Sequence, residues 1–250
     1  AKVFFTATST GKTITTGDSA FSQLEFDGSG GQWTFLDSAT STATTTMTQG
    51  VVRHGGNNDL VLSSMTIQSN ATFTKATGTG ALYFEDSEPI FIEDVNETNN
   101  LGDVYIGFSP ATTNQNSDIV VDSLTVNSGD SHNTRGYEID CAGDITVYGT
   151  LNATDNKEGD LTNIFVGGSW TVSGGIFTHG NSTTTFDATS TNKTITDGGY
   201  PFHNLMFNGV GGSWFYTDST STDPNSVTVQ KGPTAFGKAK TANKISGICG

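Results

Sequence analysis

One stretch of this chain is written twice. Residues 5–38 (FTATSTGKTITTGDSAFSQLEFDGSGGQWTFLDS) and residues 186–219 (FDATSTNKTITDGGYPFHNLMFNGVGGSWFYTDS) align without gaps at an offset of 181, and 19 of 34 positions are identical. The matches fall where a core or a turn would hold them: Phe5 with Phe186, Ile14 with Ile195, Phe21 with Phe202, Leu24 with Leu205, Phe26 with Phe207 and Trp33 with Trp214. Drift in Thr- and Ser-rich sequence does not produce paired Phe, Trp and Gly. The copies are therefore repeats, and these twelve residues form the predicted repeat core. A second pair lies between them, DLVLSSMTIQSN at 59–70 and DIVVDSLTVNSG at 118–129.

Within each copy, apolar residues alternate with Thr, Ser or Asn for a few positions, and then Gly, Asp or Asn intervenes. Alternation sends one set of side chains inward and the polar set outward. Gly and Asn supply the backbone freedom that tight turns need. Short strands with frequent turns point to an all-β fold: a solenoid, a sandwich or a barrel. The spacing favours the solenoid, because Leu124, Ile145, Trp170 and Trp214 stand 21, 25 and 44 residues apart, the last being two coils. Hairpin dipeptides are scarce, Asn208-Gly209 being the main one. The expected fold is a parallel β-solenoid, a right-handed β-helix, with one or two β-sandwiches as the alternative. At ~22 residues per coil and ~4.8 Å per coil, the chain would give about eleven coils and a rod of about 50 Å. The expected organisation is a solenoid over 1–230, with an insertion or a thicker part of the rod at 80–110, and a basic tail at 231–250, which carries four Lys and no acid.

Composition narrows the function. Only 33% of residues are hydrophobic and 14% charged, yet there are 16 Phe and just 5 Pro, which separates the chain from disordered sequence. A net charge of −14 argues against nucleic acid, which requires a basic footprint. No apolar run is long enough to span a membrane. The opening AKVFFTATST is already in strand pattern, as in a chain whose leader has been removed or in a fragment.

Candidate chemistry is sparse. The acidic residues Asp86, Glu88, Glu93, Asp94 and Glu97 are the candidate calcium site, although their spacing is not that of an EF-hand, and Asp155–Asp160 is a weaker one. Cys141 and Cys249 would form one disulfide or remain two thiols. Sequons begin at Asn70, Asn96, Asn152, Asn181 and Asn192. About five such matches arise by chance in a chain so rich in Asn, Ser and Thr. The four His (54, 132, 179 and 203) sit among Gly, Asn and Ser without metal-ligand spacing, which reads as loops. The two Arg, Arg53 and Arg135, adjoin no carboxylate pair of the kind polysaccharide hydrolases need, and no G-x-S-x-G occurs. Tyr83, Tyr105, Tyr200, Trp33, Trp170 and Trp214 are candidate sugar platforms, though recurrence in register makes Trp33 and Trp214 core residues first. The Thr runs TATTTMT and STTTF suggest a flat, water-ordering array, against which their irregular spacing counts.

The motif K-T-I-T-x-G-x-x-x-F-x-x-L-x-F-x-G-x-G-G-x-W runs from Lys12 to Trp33 and again from Lys193 to Trp214. It resembles repeats of large secreted or surface-anchored proteins of uncultivated bacteria, of the β-solenoid adhesin and surface-fibre type. The resemblance covers the two copies well and the middle only in style. It departs where Asp37–Thr46 and Asp218–Pro224 replace an aliphatic strand, which puts the stack in question at both places. It implies a secreted or cell-surface protein with a structural or adhesive role, and the sparse chemistry above argues against an enzyme. The expected function is a self-assembling filament or sheath subunit whose partners are copies of itself. One alternative is a segment of a monomeric surface adhesin, with cell-surface glycans as partners. The other is a carbohydrate-binding or polysaccharide-degrading β-helix.

Overall fold

A strand whose inward side chains are apolar and whose outward ones are polar can pair with a parallel copy of itself one coil later, like over like. The computed structural model is built on this principle. It describes residues 1–86, 89–107, 110–154, 162–218, 226–231 and 245–247, and among them every regular element is a strand. The chain forms two compact units, Ala1–Val120 and Val121–Gly250, each wound as parallel β-solenoid coils. Parallel pairing across a whole coil rules out the hairpin-built sandwich.

In the first unit one ladder runs Val3–Leu24–Thr45–Met65–Ile92–Gln115. Beside it run Phe5–Phe26–Met47–Ile67–Asp94. A second face stacks Trp33, Val52 and Phe73, and a third stacks Leu60–Leu82–Val104 and Leu62–Phe84–Ile106. A coil takes 21 residues from Phe5 to Phe26 and 27 from Met65 to Ile92, so coil length varies in the corners while the ladders hold register. The described residues of 80–110 belong to the coils. They supply the strands Leu82–Phe84, Pro89–Asp94 and Asp103–Ile106 to these ladders, with Glu93 outward and Asp94 inward and buried. The Thr-rich Asp37–Thr46 also continues the stack: Ala39–His54 is one long strand in which Ala39, Ser41, Thr45 and Met47 point inward.

In the second unit Leu124–Ile145–Trp170–Ile195–Tyr216 form one ladder. Ile139–Ile164–Thr184–Leu205–Val227 and Cys141–Val166–Phe186–Phe207–Val229 form two more. Trp214 therefore does not lie under Trp170. It pairs with Lys193, two residues before Ile195, and a shift of two keeps the inward parity that spacing alone detects. The segment 219–225, most of the tail 231–250 and Asp155–Asp160 lie outside the described residues.

The two sequence copies fold alike. Phe5 stacks on Phe26 with ring centroids 4.8 Å apart, and Phe186 on Phe207 at 5.6 Å. Trp33 leans on Phe26 at 5.4 Å, and Trp214 on Phe207 at 5.2 Å. The shared Asp has the same task in each: Asp37 accepts from the Thr16 and Gly17 amides one coil earlier, and Asp218 accepts from Gly198 at 2.7 Å. Of the twelve predicted core residues, ten are buried, whereas Phe5 and Phe21 in the first coil are half-buried.

Candidate functional site

Coils of unequal length leave overhangs, and the first unit has one. Asp27 pairs with Gln49 and Gln32 with Val51, so four residues, Gly28 to Gly31, cross a corner that Gly50 alone crosses in the coil below. The next coil matches that shorter corner residue for residue, Gln49 to Asn70 and Val51 to Thr72. The Gly-rich corner thus projects over two shorter ones and roofs an open cleft of about 610 Å³. Glycine is required in the roof: a Cβ on Gly31 would lie 2.1 Å from the Ala7 carbonyl oxygen and 2.6 Å from the Trp33 ring.

The cleft wall is polar. Arg53, outward on the strand Ala39–His54, reaches across to Gln32. With its amide oriented so that Oε1 faces the guanidinium, Gln32 accepts from Nη2 at 2.8 Å, from Nη1 at 3.2 Å and from Nε. Gln49 donates to Asp27 Oδ1 at 2.7 Å, which holds its amide along the floor. Thr10, Ser29, Asn70 and Thr72 add exposed hydroxyl and amide groups. Arg53 has no carboxylate partner among the described residues, unlike Lys2, which pairs with Glu25. The sequence reading noted Arg53 without finding the cleft. The available signal was the contrast between GSGG at 28–31 and a lone Gly50 one coil later.

The acidic candidates do not converge. Among the described residues no three His, Cys, Asp or Glu side chains gather as a metal group. Asp94 is buried, and its carboxylate accepts from the amides of Asn96, Thr98 and Asn99 and from Asn99 Nδ2 at 2.8 Å. It closes a turn, and Asn99 in turn accepts from the Phe73 amide in the coil above. Asp86 accepts from Ser63 Oγ, Glu97 receives the Asp118 amide, and Glu93 lies on the outward side of its strand. Glu88 lies outside the described residues.

The histidines are not all in loops. His54 and His132 are fully buried in strands, His132 directly above Leu151. Burial holds both below the ordinary imidazole range, His132 down to about 4. His54 Nε2 contacts the Asn58 carbonyl. His179 and His203, one coil apart, stack at 5.6 Å, a pairing that linear metal-ligand spacing does not reveal. Cys141 is a buried thiol, pushed by desolvation up to about 12, and its Sγ faces the carbonyls of Asp122 and Asp144. Cys249 lies outside the described residues.

The sequons divide by what their amides do. Asn96 donates to the Ser69 and Ala71 carbonyls and Asn152 to Asn133 Oδ1, whereas Asn70, Asn181 and Asn192 are exposed. Trp33, Trp170 and Trp214 are core residues and present no face to a sugar. Tyr83 and Tyr105 lie outward, but they stack on each other at 4.9 Å and turn their faces inward to the pair. Asp187 is raised by desolvation and then by the Asp140 charge. The Thr runs place Thr45 and Thr184 in the core, and Thr185 is buried on the opposite face of its strand. The regular outward column is Thr125–Thr146–Thr171–Thr196, continued by Thr217, and Phe215 interrupts the positions beside it.

The fold defines a parallel β-solenoid repeat protein. Comparison with protein-family models, with curated proteins and with solved structures gives no match.

Proposed function

We propose that the protein is an extracellular structural subunit that assembles into a filament or sheath by stacking coil on coil with copies of itself. The difference between the two sequence copies supports this. Thr183–Phe186 is sandwiched, with Asn163–Val166 paired on one side and Asn204–Phe207 on the other. Its counterpart Lys2–Phe5 pairs with Gln23–Phe26, and among the described residues no strand lies on its other side. Phe186 is accordingly fully buried, whereas Phe5 is half-exposed and Phe4 is 58% exposed. The second copy thus shows what fits over the first: a parallel strand with the inward Ile164 and Val166 pattern. In a second chain Asn163–Val166 is itself paired on both sides, so the covering strand would come from a coil paired on one side only, as Ile245–Gly247 is among the described residues. An unpaired strand edge is a template for pairing, and a head-to-tail contact between copies propagates. The extracellular placement rests on the resemblance of the repeat.

The alternative, one segment of a surface adhesin, supplies the covering coil from the same polypeptide. Electron microscopy and size-exclusion chromatography with light scattering separate the two. Filaments that dissociate when Phe5 is changed to Lys support assembly. A protein that stays monomeric at high concentration removes it and leaves the adhesin.

A further inference from the structure

We infer that the cleft under the Gly28–Gly31 corner is a binding site for a carboxylated sugar. This goes beyond the filament reading and holds whether or not the protein polymerises. The first support is the cation. In a chain of net charge −14, Arg53 stands at a cleft wall with no carboxylate partner among the described residues. Gln32 holds its guanidinium in place through a neutral oxygen, so the positive charge stays uncompensated. A planar guanidinium presents paired donors that match the two oxygens of a carboxylate, a geometry that an ammonium lacks.

The second support is the rest of the lining. Ser29, Gln49, Asn70 and Thr72 offer hydroxyls and amides, and Val51 is the lone aliphatic side chain. Such a wall suits a ligand covered in hydroxyls rather than an apolar one. The volume, about 610 Å³, lies within the range of small-ligand clefts and fits a short oligosaccharide.

The third support is the comparison between copies. The second repeat keeps the corner glycines as Gly209, Gly211 and Gly212, and with them the packing against its own Trp. It replaces Ser29 by Val210 and Gln32 by Ser213. The corner glycines and Thr10, as Thr191, are retained, while Ser29 and Gln32 are not. The corner glycines thus belong to the fold, whereas Ser29 and Gln32 are particular to the first cleft.

The test is a ¹H–¹⁵N NMR titration of the whole chain with a galacturonic acid trimer, run beside the neutral galactose trimer and sodium acetate. The expected result is saturable shifts of the Gln32, Gln49 and Asn70 side-chain amides and of Arg53 Nε–H with the acidic trimer. The neutral trimer should bind at least about tenfold more weakly, and so should acetate. Arg53→Gln should cost about tenfold or more for the acidic trimer, and Arg53→Lys, which keeps the charge and loses the fork, should cost nearly as much. An unchanged unfolding midpoint shows that each variant is folded. Equal affinity for both trimers, or undiminished binding by both folded variants, overturns the proposal. Acetate binding as tightly as the acidic trimer overturns the sugar and leaves a bare carboxylate site. Shifts at Ser213 in place of Gln32 also overturn it.

Discussion

Thr45 and Thr184 occupy inward positions between aliphatic neighbours, Thr45 between Leu24 and Met65 and Thr184 between Ile164 and Leu205. Both hydroxyl oxygens are buried without a hydrogen-bond partner. A hydroxyl desolvated in this way costs about 1–3 kcal/mol, and a methyl of the same shape removes that cost. Thr184→Val is expected to stabilise the fold by about 1 kcal/mol, seen as a higher urea midpoint at unchanged slope. A lower midpoint would mean that the hydroxyl has a partner. The same residues show why part of the core was illegible in the sequence. Alternation is readable only where the two faces differ in chemistry, as in QLEFD. In STTTF, Thr serves on both faces, so the letters carry no phase. The aromatic positions were legible because Phe and Trp have one favourable side.

At the scale of the corner, two glycines of the first repeat should respond in opposite ways. Gly11 has φ of 74° and its counterpart Asn192 has φ of 65°, so the left-handed position already accepts the next most tolerant residue. A Cβ on Gly11 meets nothing within 4 Å. Gly11→Asn should change stability by less than about 0.5 kcal/mol. Gly31 is constrained by contact, since its Cβ would lie 2.1 Å from the Ala7 carbonyl oxygen. Backbone in a stacked coil cannot yield without breaking the ladder, so Gly31→Ala should cost about 2–3 kcal/mol. Comparable losses in the two variants, measured by chemical denaturation, would show that corner conformation and not close approach selects glycine. The repeat motif made the Gly positions visible, but not which constraint each one satisfies. Nor did it reveal the cleft, which arises from a difference in corner length between consecutive coils. The calcium candidates misled for a related reason: nearness in sequence put five acids together, and of the four described the coil sends Glu93 to an outward face, Asp86 and Glu97 to separate partners and Asp94 to a buried turn.

At the scale of the whole molecule, pH sets two effects against each other. Lowering it neutralises the carboxylates that give the chain its charge of −14, which relieves self-repulsion. That begins only near the carboxylate range, below about pH 5. His54 and His132 act earlier. Each is buried and held below its ordinary value, so the unfolded chain binds a proton that the folded chain refuses. Where the unfolded state binds more protons, stability rises with pH. Their contribution is therefore fully present above about pH 6.5 and is lost as pH falls, for His132 over the window down to about 4. Across that window His132 alone is worth at most about 3 kcal/mol. Each compact unit holds one such residue, His54 in Ala1–Val120 and His132 in Val121–Gly250, so neither unit is spared. Between pH 7.5 and 5 the urea midpoint of the wild type should fall. His132→Leu, which continues the aliphatic ladder onto Leu151, should flatten that fall whatever its stability at neutral pH. Because the cause at His132 is desolvation rather than a charge pair, added salt should leave its share of the slope unchanged, whereas at His54 the Lys75 and Asp59 charges act beside desolvation. A variant as pH-sensitive as the wild type would assign the acid response to the carboxylates, and a slope that vanishes in high salt would assign it to long-range charge.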